Sequence, residues 1–550
     1  MKNSHFYKTL QTDVLVIGAG GAGLRAAIEA KKQGAKVLII TKEYLGGAHT
    51  SMAMGGLNVA IKAPATTKQH FDDTINGGWH INNYKMAKIF TKEMPGRIYD
   101  LESYGVKFDK LPDGSFYTWA GGKQSAPLNL CAGDYTGREI IEGLVREIKK
   151  LAIPYLEDYF VTKLFTKNKH VIGAFVMDLK EGAYTVISAK TTIIATGGAG
   201  MLYLVNTNAP SNTGEGYSWA LDLGAELVDI EFVQFHPTGM AYPERKGKLI
   251  TEKVRGHGGI LKNTKGERFM TKYQPKRMEL AGRDEVARAI YQEVKEGRGT
   301  KNGGAYLDIT HWEKGLAEKI IPDVFADHEE IGIDIRHQMM EVYPSMHHMM
   351  GGINIDPWGQ TTINGLFAVG EVTRNIHGAN RLGGNSLAEG QVFGRRVGLQ
   401  AAKTAKKNKL EIISKDNADV EMNRLEIFKK KTRGKNVADI TLALKKLMWE
   451  NVGLIRDEKR LQVASREIKK LQKQAQDVVA HSKDELRACL ELWEMLKVAQ
   501  AIVLAALIRK ESRGSHYRTD YPYMNQKWEK NIIVYKKSGT LHTKIAPVVK

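Results

Sequence analysis

Residues 12–23 read TDVLVIGAGGAG, and this stretch decides the fold. The run from Val14 to Ile17 is apolar at every position, so it suits a strand covered on both faces. It leads into Gly18-x-Gly20-x-x-Gly23, then an Ala-rich helix (24–34) and a second apolar strand, AKVLIIT, at 35–41. A glycine pattern alone is a weak signal, but one bracketed by strand, helix and strand marks a dinucleotide site. Gly18 makes the turn, Gly20 lets the backbone approach a pyrophosphate, and Gly23 brings helix and strand together. Ala19, Gly21 and Ala22 complete the loop. The acid that often ends the second strand, to hold a ribose hydroxyl, is absent. Thr41 and Lys42 stand there, with Glu43 just beyond.

Further along, residues 46–56 (GGAHTSMAMGG) form a loop so poor in bulk that its backbone, with His49, Thr50, Gly55 and Gly56, can lie against a ligand. Residues 133–138 (GDYTGR) precede a helix, with Thr136 expected as its cap. Short β-branched runs at 159–190 read as a small antiparallel insert. The buried strand at 191–198 (TTIIATGG) then returns to the first sheet and ends in Ala195, Thr196 and Gly197. Residues 206–216 (NTNAPSNTGEG) make a polar loop in which Glu215 is a candidate cofactor contact. At 368–390 (AVGEVTRNIHGANRLGGNSLAEG) come Glu371, His377, Asn380 and Arg381, followed by Asn385, Ser386 and Leu387 opening a helix. Glycines admit a ligand, the helix N-terminus offers unpaired N–H groups, and Arg381 supplies a planar cationic fork for a carboxylate.

Between these pieces the texture changes. Residues 236–346 are rich in charged and turn residues. The pieces EFVQFHPTG (231–239), LITEKVRGHGGI (249–260) and ELAGRDEVARAI (279–290) fall at or near this region, and PSMHHMMGGIN (344–354) leads back out of it. The expected fold class is therefore α/β, with a discontinuous Rossmann-like domain (1–235 and 347–403) and an inserted α+β capping domain (236–346). Leu/Lys/Glu spacing at 420–510 predicts three or four antiparallel helices in a C-terminal helical domain (404–510). The tail (511–550) reads as basic and irregular, with SRGSHYRTDYP as its one motif.

A chain of 550 residues exceeds what one core serves. The net charge of +20 suits a dianionic substrate or an acidic partner. Its lysines are scattered over helices with no aromatic-interleaved stripe, so nucleic acid is not expected. Cys131 and Cys489 lack cluster spacing, which argues against a disulfide framework or a metal centre on this chain and for a reducing compartment. The opening MKNSHFYKTLQTD has no apolar core of an export signal, and the run at 501–508 is far short of the ~20 residues a spanning helix needs. The protein is expected in the cytoplasm, or on the membrane face through partners.

In order along the chain, TDVLVIGAGGAG, AHTSMAMGG, ATGG, NTGEG, EFVQFHPTG, TEKVRGHGG, ELAGRDEV, HHMMGGI, GLFAVGE, IHGANRLGGNSLAE and ESRGSHYRTDYP resemble the flavoprotein subunit of succinate dehydrogenase and fumarate reductase, of the FAD-dependent oxidoreductase 2 family. The resemblance spans about residues 10–522. It implies FAD, an inserted capping domain and an iron–sulfur partner subunit, joined by a membrane-anchor or a thiol-oxidising subunit. His49, six residues before Gly55, matches the histidine bonded to the flavin 8α-methyl in complex-forming members. Arg381 and His347 match residues gripping one carboxylate of fumarate or succinate, and His236 and Thr251 match those contacting the other. Gly56 is assigned to both substrate and cofactor. Arg283 matches the proton donor. Arginine is a poor acid, with a pKa above about 12, so it needs a relay, and Glu252 and Arg255 match that relay. His348 reads as packing, because His347 has the family spacing to Gly351. Met54 stands where relatives carry Gln or Glu, Val254 where they often carry cysteine, and Glu215 where Asp is usual. Two other readings stay open. One is L-aspartate oxidase, which shares the clamps but lacks the loop histidine. The other is a flavin electron-transfer protein without the chemistry, against which the set His236, Arg283, His347 and Arg381 stands.

Overall fold

The computed structural model describes residues 7–374, 376–431 and 433–550. Residues 1–6, part of the opening stretch read above for an export signal, lie outside the described residues. Strand Lys8–Ile17 lies between Val37–Ile40 and Tyr184–Ile194, parallel to both, with Ile17 opposite Ile40 and Ile194. Tyr155–Leu156 extends the sheet on one side, His170–Asp178 and Tyr159–Lys167 on the other, and Leu366–Ala368 also pairs with Tyr184–Ile194. Val14, Leu15 and Val16 are fully buried. Helices Gly21–Lys32 and Asn385–Lys407 pack on this sheet and on each other. Their contact is close because Gly394 and Gly398 have no side chain: a Cβ there would lie 2.8 Å from Arg25 Cβ and 2.2 Å from the Ala26 carbonyl.

The runs at 159–190 are not a separate insert. They form antiparallel strands of the main sheet, and the third continues through residues 191–194. Lys190, paired with Asp13 at 2.8 Å, interrupts the apolar run and splits one strand into two in the sequence. Nor is Thr136 a cap. Tyr135 holds that position, and the Thr136 hydroxyl turns back to accept the Ala132 N–H at 3.0 Å.

A second core, built around Ile250, Leu261, Ile290, Leu307 and Val342, lies within residues 240–342 and takes in Met54. Its sheet runs Val233–Met240, Met340–Met349, Ala305–Asp308, Ile260–Lys262, and helix Arg283–Lys295 packs on it. Two of these strands belong to both cores, with Phe235 and Met346 in the first and Met240 and Val342 in the second. The boundaries expected at 235/236 and 346/347 thus fall within an antiparallel pair, and that at 403/404 within helix Asn385–Lys407.

Helices Lys415–Lys430, Val437–Asn451, Glu458–Ala475 and Lys483–Ile508 each begin with a side-chain cap, from Ser414, Asn436, Asp457 and Ser482. Such caps satisfy N–H groups that a helix start leaves unpaired. No described helix is long and apolar enough to cross a membrane. The tail is not irregular: Lys530–Lys537 and Thr540–Pro547 form a hairpin whose first strand pairs with Leu227–Val228, burying Ile532 and Val534. The exposed lysines of this hairpin mask its alternation.

Candidate active site

A cleft of about 1530 Å³, open solvent at its mouth included, runs from the first glycine loop to the second core. Every residue read above as a cofactor contact lines it except Gly23. Gly18 has φ +113°, and a Cβ there would lie 2.2 Å from the Ala195 carbonyl; one at Gly23 would lie 2.1 Å from the Gly18 carbonyl. These two are excluded by the fold itself. At Gly20 the nearest atoms stand 3.5 Å off, so the protein leaves room at that position.

Three helices start at this cleft on glycine N-caps, Gly20, Gly214 and Gly384, with no side-chain cap. Two of their first N–H groups are taken, Gly21 by Thr50 Oγ1 at 3.1 Å and Asn385 by the Leu382 carbonyl at 3.2 Å, so an electron-rich ligand would meet the N–H groups that follow them. Thr196 Oγ1, Gln391 Oε1 and His49 Nδ1 are buried with no partner. A dinucleotide fits such a set: the helix starts would suit its pyrophosphate, and the orphaned polar atoms would suit its rings.

Lys42 and Glu215, read as two separate contacts, form one ion pair at 2.6 Å. The Lys42 ammonium also donates to Thr213 at 2.8 Å and to Glu491 at 3.1 Å, so helix Lys483–Ile508 reaches this end of the cleft.

His236, Thr251, Glu252, Arg283, His347 and Arg381 gather on the same cleft from five separate elements, with Arg255 behind them. Arg283 donates to Glu252 at 2.7 Å through Nε and to Gln234 at 3.1 Å through Nη1. Glu252 also accepts the Gly122 N–H at 2.6 Å and lies 3.5 Å from Arg255, which donates to the Glu279 carbonyl. Burial raises the Glu252 carboxyl, but Arg283 and Arg255 outweigh it and bring the pKa down to about 2. Thr251 caps the short helix Glu252–Gly256.

Among the described residues Arg381 has no such partner. It is 5% exposed, its Nε is orphaned, and its guanidinium makes one long hydrogen bond, 3.4 Å, to the Leu382 carbonyl. Burial pushes its pKa well below that of ordinary arginine, and the positive charge of Arg283 pushes the same way. His236 and His347, with ring centroids 5.1 Å apart, are held well below 6.5 by burial and then by nearby arginines, so both are neutral at pH 7. The Thr238 N–H donates to His236 Nδ1 at 3.3 Å, which leaves Nε2 carrying the hydrogen. His347 Nδ1 lies 2.7 Å from Thr207 Oγ1.

His348, read as packing, also lines the cleft, with Nδ1 3.5 Å from Glu371 and its ring against His377. The reading of the sequence missed Gln234 and gave no role to Asn380. Gln234 was within reach: two residues before His236 on one strand, it shares that residue's face.

Residues 13–387 match the model of the FAD binding domain family, and residues 441–550 that of the fumarate reductase flavoprotein C-terminal family. The chain belongs to the fumarate reductase and succinate dehydrogenase flavoproteins. It is 43% identical over 533 residues to an uncharacterized FAD-dependent oxidoreductase of Methanocaldococcus jannaschii, covering 96% of this chain and 97% of the other. To a CoM/CoB fumarate reductase subunit of Methanothermobacter marburgensis it is 41% identical over 539 residues, with the same coverage. Against the structure of E. coli quinol fumarate reductase it gives a TM-score of 0.93 at 32% identity, covering 99% of this chain and 97% of that one. As a flavoprotein of this family it is an FAD-dependent oxidoreductase, and the cleft with its glycine-capped helices is where FAD fits.

Proposed function

We propose that this chain is the catalytic flavoprotein subunit of an enzyme that interconverts fumarate and succinate. One observation carries the reading: Arg381 is a buried guanidinium with no ion-pair partner among the described residues, near a second buried guanidinium, Arg283. A buried charge left unpaired is costly, so a site built this way is completed by an anion. Arg283 and Arg255 share the firmly ionised Glu252, so the guanidinium of Arg381 is left for an anionic group of the substrate. Arg381 and His347 grip one carboxylate, and His236 and Thr251 contact the other, with the Gly56 backbone beside them on the same cleft. As a neutral imidazole, His236 donates from Nε2.

FAD, when bound, would supply the hydride at N5, and His49, which lines the same cleft, would be its point of covalent attachment. The chain's own part is the proton. Arg283 lies over Glu252, donates a proton to the alkene carbon, and is recharged through Glu252 and Arg255. Glu252 rests as a carboxylate and holds Arg283 in its charged form between turnovers. The relatives named as subunits support an iron–sulfur partner, with a membrane-anchor or thiol-oxidising subunit beyond it. The protein is then cytoplasmic or peripheral on the membrane face.

The test is fumarate-dependent oxidation of reduced benzyl viologen by flavin-replete protein. Turnover is expected, and Arg283→Ala should abolish it while leaving the flavin spectrum intact. Peroxide formation from L-aspartate with no fumarate turnover would overturn the reading in favour of the oxidase.

A further inference from the structure

Arg283 and Arg381 carry like charges and come from different elements, with Glu252 ion-paired to Arg283 at 2.7 Å. Three further side chains, Gln234, Asn380 and Asp284, tie together the segments that carry them. Arg283 Nη1 donates to Gln234 Oε1 at 3.1 Å, and Gln234 Nε2 donates to Asn380 Oδ1 and to the Arg381 carbonyl, both at 2.7 Å. Asn380 Nδ2 donates to Asp284 Oδ1 at 2.8 Å, and Asp284 follows Arg283 in the chain. The hydrogen bonds therefore close a ring through the first turn of helix Arg283–Lys295, strand Val233–Met240 and the loop carrying Arg381. Gln234 is fully buried, and Asn380 and Asp284 are each 2% exposed.

Neither amide can turn over. A flipped Gln234 would put its NH₂ group against a guanidinium and its oxygen against two acceptors; a flipped Asn380 would put oxygen against a carboxylate. Outside the ring, Arg288 lies 3.4 Å from Asp284 and donates to the Gly514 carbonyl at 2.8 Å. Ser515 donates to the Ala379 carbonyl from both its N–H (3.0 Å) and its hydroxyl (2.9 Å). The SRGSHYRTDYP motif thus braces the loop from behind.

We propose that Asn380 is a positioning residue which, through Gln234, fixes the separation of Arg283 and Arg381 and so sets the reach of the site for a dicarboxylate. The inference rests on the fumarate reading. Buried side chains that are hydrogen-bonded through both ends of the amide are stiff, and a distance set by them leaves a substrate little freedom.

The test exchanges donor and acceptor across one edge of the ring. Asn380→Asp sets a second carboxylate against Asp284, and kcat/KM for fumarate is expected to fall at least 30-fold, with KM rising and kcat falling together. Adding Asp284→Asn reverses the hydrogen bond, so the double variant should recover to within fivefold of the unmodified enzyme. Malonate binding, read from the flavin absorbance, is measured on the same proteins and should weaken and recover in the same order. That readout keeps the two claims apart: if the unmodified protein does not turn over fumarate, the proposed function fails, while the malonate series still reports on the arginine pair. A loss under threefold in Asn380→Asp, or a double variant no better than the single, would overturn the proposal. Should Asn380→Asp fail to load flavin, Asn380→Ala replaces it. A tenfold fall in malonate affinity is then expected, and an unaltered affinity would refute the role.

Discussion

Glu252→Gln keeps the shape of the side chain and removes only its charge. In the folded protein Glu252 is 4% exposed, and its pKa lies at about 2 against an ordinary 4.5. That difference corresponds to about 3 kcal/mol of net stabilisation of the ionised form at 1.36 kcal/mol per unit, with no discount for solvent because the group is buried. Since the folded value lies below the unfolded one, the stabilisation is complete above pH 4.5 and is lost as the pH falls toward 2. The amide leaves Arg283 and Arg255 facing each other with no anion between them. In urea unfolding at pH 7 the variant should be less stable by about 3 kcal/mol, and at pH 3.5 the gap should narrow to about 2 kcal/mol. Fumarate turnover should fall by about 100-fold or more, the scale of a lost proton-transfer group. An equal gap at both pH values, or turnover within threefold of the unmodified enzyme, would refute the assignment of Glu252 as the ionised partner of Arg283.

His49→Ser should abolish flavin fluorescence on denaturing gels, where the unmodified chain is expected to glow; a fluorescent band in the variant would exclude His49 as the attachment point. Gly18→Ala and Gly20→Ala separate packing from ligand clearance. The first meets the Ala195 carbonyl and should fail to fold, whereas the second should fold yet bind FAD at least tenfold more weakly, as measured by flavin release on dilution. N-ethylmaleimide should leave activity intact, because Cys131 and Cys489 are buried and burial pushes both thiols up to about 12.

Residues 12–23 are legible because strand, turn and helix are set by neighbours in the chain, and the glycine roles follow from local sterics. The residues proposed as clamps could be picked out for another reason: each stands in a stretch resembling the family, and the structure brings those stretches to one cleft. What depends on distant pairing was hidden. The hairpin Lys530–Lys537/Thr540–Pro547 read as irregular because its partner, Leu227–Val228, lies far upstream. Lys42 lines the cleft as read, but nothing near it in the chain reveals that Glu491 also shares its ammonium. Gln234 could be found from its place on the His236 face, but its bonds to Asn380 and the Arg381 carbonyl could not, because an amide in a sequence does not show which way it will face.

The pairing of Leu227 with Val534 also has a consequence in time. On a ribosome adding about 5–20 residues per second, Leu227 emerges roughly 300 residues, or about 15–60 s, ahead of the strand that covers it. Throughout that interval the nascent protein carries a β-edge with unmet backbone donors and acceptors, open to self-association and to any chaperone that holds extended chain. Deleting residues 530–547 would make the interval permanent.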